Sequence, residues 1–311
     1  MSIAFTFPGQ GSQAVGMGRD LAEAFPEAKA VFDEVDDALG QDLSALMWGG
    51  PEEELTLTAN AQPALMAVSL AALRALEAGG FSLPDKVAYV AGHSLGEYSA
   101  LAAAGALSVG DTARLLRTRG NAMQEAVPVG EGAMAAIIGL DEADVETVCG
   151  ECAGDGVCQI ANDNGGGQLV ISGTRANVER AAALAGEKGA RRALLLPVSA
   201  PFHSALMQPA ADIMERALGA VDLQPPAVPL VANVLAGPVS TPAEIKDLLV
   251  RQVTGRVRWS ETVSWFAANG VTEICEIGAG KVLTGLARRI DRSLTAKAIN
   301  TPQDVESYLQ G

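Results

Sequence analysis

The sequence predicts an α/β fold: a mainly parallel sheet flanked by helices, with a small ferredoxin-like α+β subdomain inserted into it. Two patterns carry this expectation. Short apolar runs alternate with helical stretches along the 311 residues: Ile3 to Phe7, Val87 to Ala91, Ala133 to Ile138, Val157 to Ala161, Gln168 to Ser172, Ala193 to Val198, Val228 to Ala232 and Glu273 to Ile277. Helices that connect parallel strands produce such an order. Within 128–198 the order becomes strand, helix, two strands, helix, strand, which is that of a ferredoxin-like unit. Val127-Pro128-Val129-Gly130 and Ser199-Ala200-Pro201 bracket it. Residues 1–127 and 199–311 are therefore expected to form the larger body and 128–198 an insertion, with a cleft between them. A chain of this length can bury a core of that size.

Composition narrows the function. The formal charge is 22 − 37 = −15, so the overall field repels nucleic acid and anionic membranes. The apolar run at the start has no basic segment before it and ends in Pro8-Gly9, so it reads as a strand and not a signal peptide. The uncharged run from Tyr98 to Gly110 falls short of the roughly 20 residues of a membrane span, and a cytoplasmic monomer is expected. Cys149-x-x-Cys152 has ligand-like spacing, but no second CxxC follows and neither histidine stands near it, so Cys149, Cys152, Cys158 and Cys275 read as ordinary thiols with no metal. Without an export signal, a disulfide framework is not expected either.

The run ending at Ala91 and the helical stretch from Leu95 enclose Gly92-His93-Ser94-Leu95-Gly96. This is a G-x-S-x-G in the strand-turn-helix context of a nucleophile elbow. The glycines leave room for a sharp turn, and the turn sets backbone N–H groups and a helix N-terminus beside any oxyanion formed there. A serine hydroxyl needs a base near neutral pH. The chain has two histidines; His93 adjoins Ser94 and should point away from it. That leaves His203, in Pro201-Phe202-His203-Ser204 at the mouth of the expected cleft, although a lone loop histidine is commonly no more than a satisfied polar residue.

Ser108-Val109-Gly110-Asp111 reads as a capping box opening a helix that runs to about Ala126. Its apolar stripe is Leu115, Leu116, Ala122, Met123 and Ala126, and Arg119 falls within that stripe. An inward arginine is costly unless it meets an anion, and its planar fork suits a carboxylate. Spacing leaves open whether that anion is an internal Asp or Glu or belongs to a substrate.

Other readings are weaker. Gly9-x-Gly11-x-x-Ala14 follows a strand and matches a dinucleotide fingerprint, but the helical, acidic stretch from Gly16 through Leu39 offers no second strand with an acidic ribose ligand. Gly278-Ala279-Gly280-Lys281 lacks the first glycine of a phosphate loop, Cys275 standing there, and reads as a plain strand-to-helix turn. A serine esterase or thioesterase would share elbow, base and acyl-enzyme; a simple esterase has no need of Arg119. A non-catalytic α/β binding module would leave the elbow and the spare histidine unexplained.

Several segments together resemble the malonyl-CoA:acyl carrier protein transacylase family: Phe7-Pro8-Gly9-Gln10-Gly11-Ser12-Gln13, Gln62-Pro63-Ala64-Leu65, Gly92 to Tyr98, Arg119-Gly120 with Met123 to Ala126, Pro201 to Ser204, and Gly278 to Leu286. The resemblance implies a hydrolase-like α/β body carrying a ferredoxin-like insertion. It implies Ser94 as nucleophile, His203 as base oriented by the main-chain carbonyl of Gln252, Arg119 as the grip on the malonyl carboxylate, and the amides of Gln10 and Leu95 as oxyanion hole. Asn162 and Gln168 match supporting positions, and Phe202 resembles the residue of malonyl-selective relatives, implying malonyl over methylmalonyl. Arg256 stands where the family usually has proline. No cofactor is implied. The partners implied are malonyl-CoA and acyl carrier protein, docked through basic residues for which Arg191-Arg192, Lys281 and Arg288-Arg289 are candidates. Fatty acid, polyketide and malonate metabolism can all use such an enzyme; a stand-alone chain favours the first.

Overall fold

A computed structural model describes residues 2–198 and 200–311. Met1 and Ser199 lie outside the described residues, so the bracket at Ser199 is seen only from Ala200 onward.

The strands are β1 (Ile3–Phe7), β2 (Tyr89–Gly92), β3 (Gly132–Ile138), β4 (Cys158–Asp163), β5 (Gln168–Thr174), β6 (Arg192–Leu195), β7 (Leu230–Ala232), β8 (Gly237–Val239), β9 (Val257–Arg258), β10 (Glu273–Ile277) and β11 (Thr295–Ile299). One sheet has the order β11-β10-β1-β2-β7-β8. It is parallel throughout except for the β7–β8 hairpin at one edge. β1 lies inside this sheet with Ala4, Phe5, Thr6 and Phe7 all buried. Its near-continuous apolar sequence is what a strand covered on both faces requires.

The second sheet has the order β6-β3-β5-β4-β9. Its first four members are antiparallel neighbours in the ferredoxin order. Helices Glu142–Ala153 and Arg175–Glu187 supply Val145, Val148, Val178 and Ala181 to a core shared with Ile137 and Ile171. Cys149, Cys152 and Cys158 are free thiols of that core. The fifth strand, β9, comes from outside 128–198 and pairs parallel with β4, Asn162 opposite Val257 and Asp163 opposite Arg258. Arg256, just before β9, forms ion pairs with Glu142 and Glu146. The residue that departs from the family's proline thus ties the segment that supplies β9 to helix Glu142–Ala153.

All eight expected strands are present, β1 and β10 with the expected ends and the others with one or both ends shifted by one to three residues. The stretch expected to be helical from Gly16 to Leu39 becomes so at Arg19 and is made of two helices, Arg19–Ala24 and Pro26–Leu39, because proline has no N–H to continue the first and is well placed at the start of the second. The capping box at Ser108 is half formed. Ser108 Oγ accepts from Asp111 N, while the Asp111 carboxylate takes the Ser108 hydroxyl and not its backbone N–H. At Gly278-Ala279-Gly280-Lys281 the chain turns into helix Val282–Ile290. The Glu276 carboxylate already accepts from Leu283 N at 3.1 Å and Thr284 N at 2.7 Å. The protein's own anion fills the place a phosphate would take. Among the described residues no helix is long and apolar enough to cross a membrane.

Helix Thr58–Ala78 is buried nearly all round and packs against helix Val109–Glu125. Their approach is set at Gly120, where an added Cβ would stand 2.6 Å from Ala59 Cα and 2.7 Å from Thr58 O. Helix propensity alone favours alanine there by about 1 kcal/mol. The overlap with backbone outweighs it. Gly120→Ala is expected to lower unfolding free energy by about 1–3 kcal/mol, measured by urea denaturation; a stabilised variant would show that the helices do not meet so closely.

Candidate active site

β2 ends at Gly92, helix Gly96–Ala103 begins at Gly96, and Ser94 sits on the turn between them with φ 54°. A non-glycine residue rarely holds that conformation, which costs roughly 1–2 kcal/mol. A Cβ on Gly92 would overlap the Gly96 carbonyl, and one on Gly96 would overlap the Phe7 carbonyl. Glycine at 92 lets the turn close on itself, and glycine at 96 lets it lie this close to β1. Asn233, one residue past β7, fastens it: its Oδ1 accepts from Ser94 N at 2.8 Å and its Nδ2 donates to Gly92 O at 2.7 Å.

His203 is buried, also at positive φ (55°), and lies in the loop after β6. Its Nδ1 is 2.8 Å from Gln252 O, and its Nε2 is 2.7 Å from Ser94 Oγ. A carbonyl only accepts, so Nδ1 carries the proton and Nε2 presents its lone pair to the Ser94 hydroxyl. Burial first, and then the Arg119 charge, push the imidazole pKa down to about 3. The ring is therefore neutral at ordinary pH and able to accept a proton. His93 points elsewhere, with Nε2 2.9 Å from Asn164 Oδ1.

Arg119 is 1% exposed. Its guanidinium donates to Gln62 Oε1 at 2.9 Å, Gln252 Oε1 at 2.8 Å and Ser94 Oγ at 3.1 Å, and its Nε has no partner among the described residues. It also lies 5.8 Å from the centre of the Tyr98 ring. Three of five N–H donors are used, and among the described residues no carboxylate is paired with it. Glu97 lies nearby and touches Asn233 N and Gln252 Nε2; burial raises its pKa to about 7, against its hydrogen bonds and the Arg119 charge. The internal ion pair left open by the sequence is thus not made by hydrogen-bonded contact.

A cavity of about 430 Å³ opens over Ser94 between the two sheets. Gln10, Ser94, Leu95, Arg119, Asn162, Gln168, Phe202 and His203 all line it. The backbone N–H groups of Gln10 and Leu95 have no acceptor among the described residues, whereas that of Ser94 is occupied by Asn233. Gln252 lies behind the cavity. Its carbonyl meets His203, its Oε1 meets Arg119, and its Nε2 meets Ser94 O at 2.8 Å. The loop containing Gly9, Gln10 and Gly11 faces this cavity, and the next helix begins only at Arg19, so the dinucleotide pattern at Gly9 does not open a helix.

Sequence reasoning brought Ser94, His203, Arg119, Gln10, Leu95, Asn162, Gln168 and Phe202 to one cavity, with Gln252 behind it. It missed Asn233, the side-chain role of Gln252, and the place of Glu97 and Gln62. Asn233 had one available signal: it directly follows a predicted strand, at the carboxyl end of a parallel sheet where ligands gather.

The lowered His203 pKa has a stability consequence. Between about 3 and 6.5 the unfolded state holds a proton that the folded state refuses, so this contribution is present above 6.5 and lost as pH falls. From pH 7 to pH 5 the native chain is expected to lose about 2 kcal/mol more unfolding free energy than His203→Gln. Denaturant titrations at both pH values measure it; equal losses would place His203 in an ordinary solvated environment.

Comparisons with known proteins agree with this geometry. Residues 4–301 match the family model of the acyl transferase domain. The malonyl CoA-acyl carrier protein transacylase of Bacillus subtilis strain 168 is 49% identical over 309 residues, 99% of this chain and 96% of that protein. The crystal structure of acyl-carrier-protein-S-malonyltransferase from Bartonella henselae is 62% identical, with a TM-score of 0.98 over 100% of this chain and 99% of the other. A chain in the structure of a type II PKS acyl-carrier protein in complex with its malonyl-transacylase matches at 45% identity and a TM-score of 0.96, covering 100% of this chain and 99% of that one. An elbow serine bonded to a neutral histidine beside a spare guanidinium, in a chain this close to these relatives, places the protein in the acyl transferase family, among the malonyl CoA-acyl carrier protein transacylases.

Proposed function

We propose that the chain transfers the malonyl group of malonyl-CoA to the phosphopantetheine thiol of acyl carrier protein, through an ester on Ser94. The observation that carries the reading is Arg119, buried, without a carboxylate partner among the described residues, and 3.1 Å from Ser94 Oγ. A desolvated cation with spare donors beside a nucleophile fits an acyl group that brings its own carboxylate.

Ser94 Oγ attacks the thioester carbonyl while His203 Nε2 takes its proton, and the amides of Gln10 and Leu95 hold the oxyanion. The tetrahedral adduct collapses; the coenzyme A thiolate leaves and takes the proton from His203. In the second half the phosphopantetheine thiol gives its proton to His203 and attacks the malonyl ester, and Ser94 leaves with that proton. The steps draw on side chains and backbone amides alone. Gln252 holds the tautomer of His203 through its carbonyl, Phe202 narrows the acyl pocket toward malonyl over methylmalonyl, and Asn162 and Gln168 line the approach. The body is assigned to 1–127 and 199–311 and the insertion to 128–198, with β9 lent across the boundary. A cytoplasmic monomer serving fatty acid synthesis is the physiological reading.

Intact-protein mass spectrometry after brief mixing with malonyl-CoA or acetyl-CoA tests the core of this. The wild type should gain a malonyl adduct that Ser94→Ala abolishes, that Arg119→Ala reduces by about 100-fold or more, and that moves to acyl carrier protein. Acetyl loading equal to malonyl, or loss of the adduct to water regardless of acceptor, would favour the esterase reading.

The carrier protein is proposed to dock across the loop Asn164 to Gly167 at the cavity mouth. Arg191 lies along Gly139, which bonds Gly167 O at 2.9 Å, and the Arg289 Cβ lies 3.5 Å from where a Cβ on Gly166 would stand. Both cations therefore flank this loop. Arg288 instead donates to Ala296 O at 2.7 Å. Arg289→Glu should raise KM for the carrier protein by roughly 5-fold to 20-fold while changing malonyl loading from coenzyme A less than about 2-fold; equal effects on both half-reactions would remove Arg289 from the docking surface.

A further inference from the structure

Glu97 is buried beneath the site and takes no part in the steps above. Both of its carboxylate oxygens accept. Oε1 takes the Asn233 backbone N–H at 3.2 Å, and Oε2 takes the Gln252 Nε2 group. The Gln252 amide has an acceptor end and a donor end, and the two can exchange places in a cavity of the same shape. Which way it faces decides what Arg119 meets. As it stands, Nε2 donates to Ser94 O at 2.8 Å and to Glu97, so Oε1 is left to accept from Arg119 at 2.8 Å. Reversed, the amide would set N–H against the guanidinium and oxygen against both the Ser94 carbonyl and the Glu97 carboxylate. Asn233 Oδ1 is a further, weaker acceptor at 3.4 Å. In its ionised form the Glu97 carboxylate is the charged member of this set and so the strongest acceptor for Nε2.

We propose that Glu97 is a specificity-positioning residue: by fixing the orientation of the Gln252 amide it holds Arg119 in register with the carboxylate of the acyl group. The proposal rests on the reading of Arg119 as a carboxylate grip. Glu97 touches neither substrate nor reacting atoms. It acts through Gln252, and its effect falls on substrates that carry a carboxylate more than on those that do not.

Glu97→Gln keeps the shape and reverses half of the hydrogen bonding. If the introduced amide accepts from Asn233 N, its NH2 faces the Gln252 NH2, and one of the two amides must turn. Glu97→Met keeps the length and offers nothing to compete, leaving Ser94 O to hold the Gln252 amide less firmly. The experiment compares burst loading of Ser94 from malonyl-CoA with turnover of p-nitrophenyl acetate, a neutral ester that needs Ser94 and His203 but no carboxylate contact, and follows thermal unfolding of each variant.

For Glu97→Gln, malonyl kcat/KM is expected to fall roughly 10-fold to 100-fold, mainly through KM, and the neutral-ester rate to fall less than about 3-fold. Glu97→Met should lose less of the malonyl-to-ester ratio than Glu97→Gln, an order that packing alone would invert. Equal falls for both substrates, or a larger selective loss in Glu97→Met, would overturn the proposal. Should Glu97→Gln not fold, Glu97→Met decides: a ratio lowered at least about 3-fold supports the role, and an unchanged ratio overturns it. Arg119→Ala run in parallel separates the two ideas, because a malonyl-to-ester ratio unaffected by Arg119→Ala means that the grip itself is wrong.

Discussion

A guanidinium taken out of water without a carboxylate to meet it is the constraint around which this site is arranged. Desolvating such a group costs several kcal/mol unless neighbours compensate. Among the described residues Arg119 finds only neutral acceptors, the amide oxygens of Gln62 and Gln252 and the Ser94 hydroxyl. Its field reaches the rest of the machinery, adding to burial in keeping His203 neutral. Any anion entering the cavity thus meets a positive charge that no hydrogen-bonded counter-ion has already satisfied.

The same neighbours hold two strained backbones. Ser94 and His203 touch through their side chains, and both have positive φ. Neither turn is held by its own sequence alone. Asn233 ties Ser94 N and Gly92 O, and the carbonyl of Gln252 receives the His203 ring. Because Asn233 and Gln252 also approach each other and Glu97, disturbing one buried polar group moves several, as is general for satisfied networks in a low-dielectric interior.

What the sequence revealed and what it hid divide along physical lines. The elbow was legible because its signal is local: two glycines, a strand before and a helix after. Arg119 was legible because a charge within an apolar stripe contradicts its surroundings. His203 was found by elimination among two histidines. Asn233 and the Gln252 side chain were not legible, since an amide shows no periodicity and acquires meaning only when a distant segment arrives beside it. β8 and β9 are three and two residues long, too short for an alternation to register, and β11 carries Thr295 and Lys297 at an exposed edge where apolar pattern is weak. The order of β3 to β6 with their two helices was readable as rhythm, but the addition of β9 to their sheet was not.

That addition fixes the aperture. β9 joins β4 at Asn162 and Asp163, and Asn162 lines the cavity. The segment that supplies β9 is therefore stitched to the β3–β6 unit by main-chain hydrogen bonds at the rim, with Arg256 clasping Glu142 and Glu146 close by. A hinge that opened wide for one visitor and narrowed for another would have to unpick that seam. A small nucleotide thioester and a whole folded protein must then use one doorway of nearly constant width, so each can present to Ser94 only the slender pantetheine arm they have in common, and the bulk of either stays on the threshold.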